Sequence, residues 1–315
     1  MYIGVDIGGT NTKIGIISKL GRVIANLSFK TNIPKAPEVL AKEIQQKIDE
    51  ILKQESMTLN DVEGIGIGFP GVVNMDGVVV QSVNLGWKNV DFKSYFEGYI
   101  NKPVVVGNDA DCAMIAEWKF GSAKGSKNAI LVTLGTGIGS GIILDGKLFR
   151  GAHGMGSECG HMVIKFDGEQ CNCGNRGCWE RYASAKALSR RTEQVAKENP
   201  QSIINDIMRR FNNKASAHTS FEAAKKGDKV AKALVDEYID YVVCGLINLT
   251  QIFHPEIFVL GGGVAKEGPA FIKMVDAKLN EFIKKNNFEP TVAVKHPVLE
   301  NSAGIVGAAC LAMDI

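Results

Sequence analysis

The sequence predicts a two-lobed α/β protein, and three observations lead there. The chain of 315 residues is too long for one simple core and long enough for two medium lobes. Short buried-strand patterns alternate with helical ones along its first half. A unit of strand, glycine-rich turn, strand and hairpin begins near residue 2 and starts again near residue 129, which suggests an internal duplication.

The elements follow in order. Tyr2 to Asp6 reads as a short buried strand, and residues 13–18 and 22–29 read as a strand pair turning at Gly21. Pro37 suits the first turn of a helix, which apolar Val39, Leu40, Ile44, Ile48 and Leu52 carry to about Lys53. Gly64 to Phe69 is a buried strand stopped by Pro70-Gly71. Pro103 to Val106 is a third, ending at Asn108-Asp109, and a helix runs from Ala110 to about Trp118. Ala129 to Leu134 then restarts the pattern as a strand. A glycine-rich turn over 135–139, a strand over 141–144 and a hairpin signal at Asp145-Gly146 follow. Beyond residue 180 the chain is mostly helical. A long helix covers about 229–253, a strand over 257–260 runs into Gly261-Gly262-Gly263, and a last helix covers about 303–313. The expected division is a small lobe over 1–120, joined by a C-terminal helical segment of about 300–315, and a larger lobe over 121–299. No low-complexity linker separates them, so any hinge is short.

Composition narrows the function classes. Apolar residues make up 45% and charged residues 22%, ordinary for a globular protein. A formal net charge of +2 points to neither nucleic acid nor an anionic membrane as partner. No apolar run approaches a bilayer-spanning length. Met1 leads straight into a strand pattern, without a basic n-region or cleavage site, so the expected location is cytoplasmic. Seven cysteines, three of them inside one short segment, favour metal binding over a disulfide framework.

Residues 6–13 read DIGGTNTK. Gly8 and Gly9 let the backbone approach a phosphate, and their amides, with the hydroxyls of Thr10 and Thr12, can donate to its oxygens. Lys13 closes the run. Asp6 can hold Mg²⁺ through water. Alone, such a turn is equally well a plain hairpin with an aspartate at its edge. A second loop, LGTGIGSG at 134–141, offers Gly135, Thr136 and Gly137 in the same way, and Gly261 to Gly263 follow another strand, where a backbone can pass close to an adenine or ribose. No GxxxxGK[ST] motif is present, so the nucleotide site is of another type.

Asn108 and Asp109 fall just past a buried strand, where ligands gather in α/β folds. Asp109 can accept the proton of a sugar hydroxyl, and Asn108 can grip neighbouring hydroxyls with both donor and acceptor. The pair can also cap the next helix, which is compatible with both roles. Glu158, His161 and Glu180 are further candidate sugar contacts. Residues 171–178 read CNCGNRGC. Cys171, Cys173 and Cys178 with His161 make a full tetrahedral set for structural zinc, which would pin the loop carrying Glu158, His161 and Glu180. The alternative is a set of reduced, unliganded cysteines.

On these motifs, in this order and spacing, the chain resembles the ROK family of bacterial sugar kinases over nearly its whole length. CNCGNRGCWERYAS is the most specific of them. The resemblance implies two actin-like lobes, of the ribonuclease H-like ASKHA type, with nucleotide and sugar in the cleft between them. It implies ATP and Mg²⁺ as cofactors, structural Zn²⁺, and Asp109 as general base. The implied sugar contacts are Gly71, Asn84, Asn108, Asp109, Glu158, His161 and Glu180, with His161 serving zinc by one ring nitrogen and sugar by the other. SVNLGWKN at 82–89 is similar to the glucokinase branch. Asp111 and Asn172 stand where many relatives have Asn and Gly, and Asp111 adds a carboxylate near the base.

The expected reaction is transfer of the ATP γ-phosphoryl group to the 6-hydroxyl of a hexose, glucose before fructose, N-acetylmannosamine, N-acetylglucosamine or allose. The rivals are a sugar-responsive repressor, disfavoured because the first lobe begins at residue 2 and leaves no room for a helix-turn-helix, and a sugar-binding module without catalysis. Relatives are commonly dimers or tetramers, so a homodimer or homotetramer is expected.

Overall fold

The computed structural model describes residues 1–313. The chain divides into two compact units. One comprises Met1–Lys127, Gly141–Ser157 and the segment beginning at Val298; the other comprises Asn128–Ser140 and Glu158–Pro297.

In the first unit β1 (Tyr2–Ile7), β2 (Asn11–Ile17) and β3 (Val23–Lys30) form an antiparallel ribbon. After α1 (Pro37–Gln54), β4 (Gly64–Phe69) pairs with β1 in parallel. The strands β5 (Val72–Val73), β6 (Val79–Ser82) and β7 (Trp87–Val90) make a small separate sheet. Then β8 (Val104–Asn108) pairs in parallel with β4, and α2 (Asp109–Phe120) follows at once. The main sheet has the order β3-β2-β1-β4-β8.

The sequences YIGVDI and GIGIGF explain how this sheet is covered. Successive strand residues point to opposite faces. Ile3, Val5, Ile7, Ile65, Ile67 and Phe69 share one buried cluster with Leu40, Ile44 and Ile48 of α1. Each such fully buried side chain contributes about 1.5–3 kcal/mol. The glycines between them face the C-terminal helix. A methyl group at Gly66 would strike the carbonyl of Ala308, and one at Gly307 the carbonyl of Cys112 in α2. Close backbone approach at those two points seats the C-terminal helix on both the sheet and α2. Fully buried Glu117 of α2 completes the seating, with its carboxylate accepting from the Val298 and Leu299 amides at 3.1 and 2.7 Å.

In the second unit β9 (Ala129–Leu134) leads into β10 (Ile138–Leu144), whose first residues belong to this unit and whose remainder, paired with β11 (Lys147–Phe149), belongs to the first. Helices α3 (Glu180–Ala183), α4 (Ala185–Glu198), α5 (Ile203–Arg209), α6 (Ala217–Lys225) and α7 (Lys229–Phe253) follow the cysteine-rich loop. β12 (Ile257–Gly261) pairs in parallel with β9 and, beyond α8 (Pro269–Lys285), with β13 (Ala293–Lys295). The last element is α9 (Ala303–Met313). The second large sheet has the order β11-β10-β9-β12-β13, which repeats the first strand for strand.

Several boundaries differ from the sequence expectation. The division expected at 120/121 falls at Lys127, after the turn that follows α2. Residues 141–157, expected in the larger lobe, pack within the first unit. The cause is tertiary: Gly141 lies tight against Met114 and the carbonyl of Ala110, and Arg150 reaches Asp111, Val73 and Asn74. The segment expected over about 300–315 joins the first unit, with residues 314–315 outside the described residues. Strand β10 begins at Ile138 and not Gly141, because the loop before it closes tightly, Gly135 N donating to Gly137 O at 3.0 Å. Among the described residues no helix is long and apolar enough to cross a membrane.

Candidate active site

In the first unit the parallel register gathers the predicted residues at one edge. Asp6 stands opposite Gly68, and Phe69 opposite Asn108. The C-terminal ends of β1, β4 and β8 therefore deliver Asp6, Pro70-Gly71 and Asn108-Asp109 to the same side of the sheet, the edge at which α/β folds bind ligands.

Asn108 caps α2. Its Oδ1 accepts from the amides of Ala110 and Asp111 at 2.8 and 3.1 Å, and its Nδ2 donates to the carbonyl of Gly71 at 2.8 Å. This corrects the expectation that Asn108 offers a ligand both donor and acceptor. Both oxygen lone pairs are engaged, and one N–H remains. The same bond fixes Gly71, whose φ of 147° and whose crowding against the carbonyl of Gln81 exclude a side chain. Asp109 is the first residue of α2, half-buried, with Oδ1 accepting from the Ala110 amide at 2.9 Å.

Asp111, one turn into α2, is buried, and its Oδ2 lies 3.3 Å from Nε of Arg150. The arginine's Nη2 donates to the carbonyls of Val73 and Asn74 at 3.0 and 3.3 Å. One guanidinium thus ties the head of α2 to the hairpin that follows Gly71. The extra carboxylate that stood out in the sequence carries its own counter-charge.

The first glycine loop is closed by Gly8 N donating to Asn11 O at 3.0 Å. Thr12, expected to donate to phosphate, is fully buried, and its hydroxyl lies 3.1 Å from that of Thr31, which donates to Gly8 O at 2.7 Å. Thr12 shapes the loop from beneath, and exposed Thr10 keeps its hydroxyl outside. Asn84 is exposed and approaches Gly9, so the candidate sugar residue and the phosphate loop adjoin. Asp6 lies against Gly304 at the start of α9. Burial pushes its carboxyl above the usual carboxylate range, and Lys13 opposite it in β2 works against that shift. Lys13 Nζ donates to the carbonyl of Asn301 at 3.2 Å.

In the second unit His161, Cys171, Cys173 and Cys178 bring their ligand atoms within 4.8 Å of one another. Cys171 Sγ lies 3.7 Å from His161 Nδ1, and Cys173 Sγ lies 3.6 Å from Cys178 Sγ. A tetrahedral zinc with bonds of about 2.0–2.3 Å requires ligand atoms about 3.5–3.8 Å apart, so the donor set and its spacing fit that ion. Because Nδ1 faces the thiols, Nε2 is the nitrogen left for another partner. Cys171 Sγ also donates to Glu180 Oε1 at 3.1 Å. The loop ends at Trp179, fully buried, whose Nε1 donates to Tyr241 O of α7 at 2.7 Å and whose ring fills the space over Gly245.

The glycine loops of this unit share one edge as well. Gly261 stands opposite Thr133 across the parallel β12–β9 pair, and Gly262, at φ 86°, lies against the backbone of Leu134. Thr136 is exposed, and Gly137 leaves no room for a side chain beside Glu180 Oε2. Glu158, exposed, precedes the short turn Cys159–His161, which Ser140 Oγ holds by accepting from the Cys159 amide at 3.1 Å. Glu158, His161, Glu180 and the loop 135–137 are thus carried on connected segments of one unit. Sequence reasoning missed Arg150 and Thr31. Neither belongs to a motif, and each acts through a partner distant in the chain.

A protein-family model described as the ROK family matches residues 2–315. The glucokinase of Halalkalibacterium halodurans is 34% identical over 98% of this chain and 94% of its own. The xylose repressor of Caldicellulosiruptor bescii is 31% identical over 99% of this chain and 77% of its own. A solved structure of a ROK family glucokinase from Streptomyces griseus, in complex with glucose and AMPPNP, superposes with a TM-score of 0.83 at 34% identity, covering 100% of this chain and 99% of the other.

Proposed function

The chain belongs to the ROK family, and we propose that it is an ATP-dependent hexose kinase that phosphorylates the 6-hydroxyl of glucose. The observation that carries this reading is the register that brings Asp6, Gly71, Asn108 and Asp109 to one edge of a parallel sheet, beside a glycine loop. The likeness to the glucose- and AMPPNP-bound Streptomyces griseus structure supports it over the full chain length. Two actin-like lobes are part of the proposal, supported by the identical strand order of the two large sheets.

In this mechanism the sugar O6 attacks the γ-phosphorus in line. The new O6–P bond forms as the bond to the bridging oxygen breaks, ADP leaves, and the hydroxyl proton passes to the Asp109 carboxylate. Gly71, fixed by Asn108, and Asn84 are the proposed sugar contacts of the first unit. Glu158, Glu180 and His161 Nε2 are those of the second. The Gly8 and Gly135 amides close their own loops, which leaves the amides at 9–10 and 136–137 to spread the phosphate charge. Asp6 would hold Mg²⁺, which would supply further neutralisation of the phosphate charge. His161 and the three cysteines would hold a structural zinc that would keep the loop rigid, all four positions being taken by protein ligands. We place the reaction in the cytoplasm, where ATP is supplied.

The relation to a xylose repressor keeps a sugar-responsive regulator in view. The test that separates the two is a coupled assay of ADP release with glucose, mannose, fructose, allose, N-acetylglucosamine and N-acetylmannosamine at one ATP concentration. Glucose is expected to give the highest kcat/KM, with the 6-phosphate as product. A tenfold advantage for another sugar, about 1.4 kcal/mol of transition-state preference, would replace glucose as substrate. No turnover with any sugar would leave the regulator.

A further inference from the structure

Behind the zinc-binding loop, within the second unit, lies a cavity of about 440 Å³. It is walled by residues 165–169 and Arg176 of that loop, by α3 and α4, and by one face of α7. The volume falls in the range of small-molecule sites. None of the residues assigned to sugar, nucleotide or zinc lines it.

Its chemistry is specific. Five cationic side chains (Lys165, Arg176, Arg181, Arg190 and Arg191) face three carboxylates, those of Asp167, Glu169 and Glu237. These eight side chains leave a formal excess of +2, equal to the formal net charge of the whole chain. The carboxylates discharge it only in part. Glu169 Oε2 is shared by Arg181, at 3.3 Å, and Arg190, while Arg191 pairs with Glu237 at 3.5 Å and with Glu198 at 3.9 Å. Nε of Arg181 is buried with no hydrogen-bond acceptor. A buried guanidinium N–H without a partner is costly, so the carboxylates do not exhaust the hydrogen-bonding capacity of the cluster. The floor is apolar, with Leu188, Leu234 and Tyr238 buried. One wall is the stacked pair Tyr182 and Tyr241, ring centroids 5.0 Å apart, with Lys165 Nζ 5.9 Å from the Tyr182 centroid.

We propose that this cavity binds a phosphorylated sugar as an effector, its phosphate on the arginine cluster and its ring against the Tyr182–Tyr241 stack. Arginines match phosphate oxygens in fork geometry. The aromatic wall gives a ring a flat apolar face, and Asp167, Glu237 and Gln194 offer acceptors for its hydroxyls. Inorganic phosphate alone would leave most of the volume and the tyrosines unused. The position gives the ligand a consequence. Lys165 and Arg176 sit on the loop that carries the zinc cysteines, and Arg181 and Tyr182 directly follow Glu180 in α3. Occupancy therefore acts on the segment that presents Glu180 and His161, and sugar affinity changes with it, reciprocally.

The experiment is calorimetric titration of the intact protein with glucose 6-phosphate, AMP and inorganic phosphate. It is done first alone, then with glucose and a non-hydrolysable ATP analogue present so that the reaction site is filled. The expected result is a saturable glucose 6-phosphate site that persists with the analogue present. It weakens at least tenfold in the Lys165→Gln/Arg176→Gln variant, whose changed residues are exposed and whose fold is checked by an unchanged thermal unfolding midpoint. Tyr241→Leu is expected to weaken the sugar phosphate and leave inorganic phosphate unchanged. Loss of all binding once the reaction site is filled, or binding indifferent to the Lys165/Arg176 change, overturns the site. Inorganic phosphate or AMP binding as tightly as the sugar phosphate overturns its assignment to a phosphorylated sugar. Failure of the kinase reading leaves the titration of the unliganded protein and its variants interpretable.

Discussion

Nε of Arg150 stands 3.3 Å from Oδ2 of Asp111, and both side chains are largely buried. Asp111 lies two residues beyond the proposed base, and Arg150 reaches it from the far end of the β10–β11 hairpin while holding the carbonyls of Val73 and Asn74. The pair fixes the position of the Gly71 hairpin relative to α2. Replacing Arg150 with methionine leaves a buried carboxylate without its cation, which costs about 3–5 kcal/mol. Adding Asp111→Asn to that variant should recover much of the loss, because the uncompensated charge is gone. Asp111→Asn alone should cost less than Arg150→Met. Thermal unfolding of the three variants checks the order, and glucose KM should rise in Arg150→Met as the hairpin loosens. Additive losses would mean that the two residues do not act as a pair.

Asp109→Asn should abolish turnover and keep sugar binding. The amide preserves the shape at the head of α2 but cannot take the hydroxyl proton. A loss of about a hundred- to ten-thousand-fold in kcat is expected, with glucose affinity by calorimetry within a few-fold of the original. A near-native rate would remove Asp109 as the base.

Metal removal should lower thermal stability and sugar affinity together. The four ligand atoms lie within 4.8 Å of one another, and Glu180 follows Cys178 by two residues, so loosening the cluster frees a proposed sugar contact. Cys173, the exposed member, is the position to change to serine. Elemental analysis of protein purified without chelator should find about one zinc per chain. Protein free of zinc yet fully stable would leave the cysteines as unliganded thiols.

Asp228 joins two helices of the second unit and predicts a pH dependence. Its Oδ1 accepts from the Ala231 amide at 2.9 Å, capping α7. Its Oδ2 accepts from Ser202 Oγ at 2.8 Å and the Ile203 amide at 2.6 Å, at the start of α5. Burial alone would raise its carboxyl, but these bonds outweigh burial and hold it below the usual range. A folded-state value below the unfolded one stabilises above the unfolded pKa, near 4, and that stabilisation is lost as pH falls through the folded value. Asp228→Asn should therefore cost about 1–3 kcal/mol near pH 7. The gap between variant and parent should narrow below about pH 4. Denaturant unfolding at several pH values measures it, and a gap constant with pH would mean the charge is immaterial.

Much of the candidate site was readable along the chain because its parts are local. The cysteine spacing of CNCGNRGC names the candidate ligands, and His161 upstream joins them in one cluster. Glycine runs after apolar strands mark loops whose backbone must come close to something. The helix over 229–253 and the strand over 64–69 stand where apolar periodicity puts them. These features are set by chemistry within a few residues.

What the tertiary structure alone decided depends on partners far apart in sequence. Alternating isoleucine and glycine in β1 and β4 is a two-faced pattern only once α1 covers one face and α9 comes down on Gly66. Thr12 looks like a phosphate donor until Thr31 is found beneath it. Asn108 looks free to grip a hydroxyl until Gly71 takes one of its donors. Asp111 reads as an unexplained extra charge until Arg150 arrives from a hairpin that periodicity assigns to the other lobe. A side chain's type and spacing are written in the sequence. Whether its hydrogen-bonding capacity is already engaged is settled by which distant backbone folds against it, and that is a property of packing.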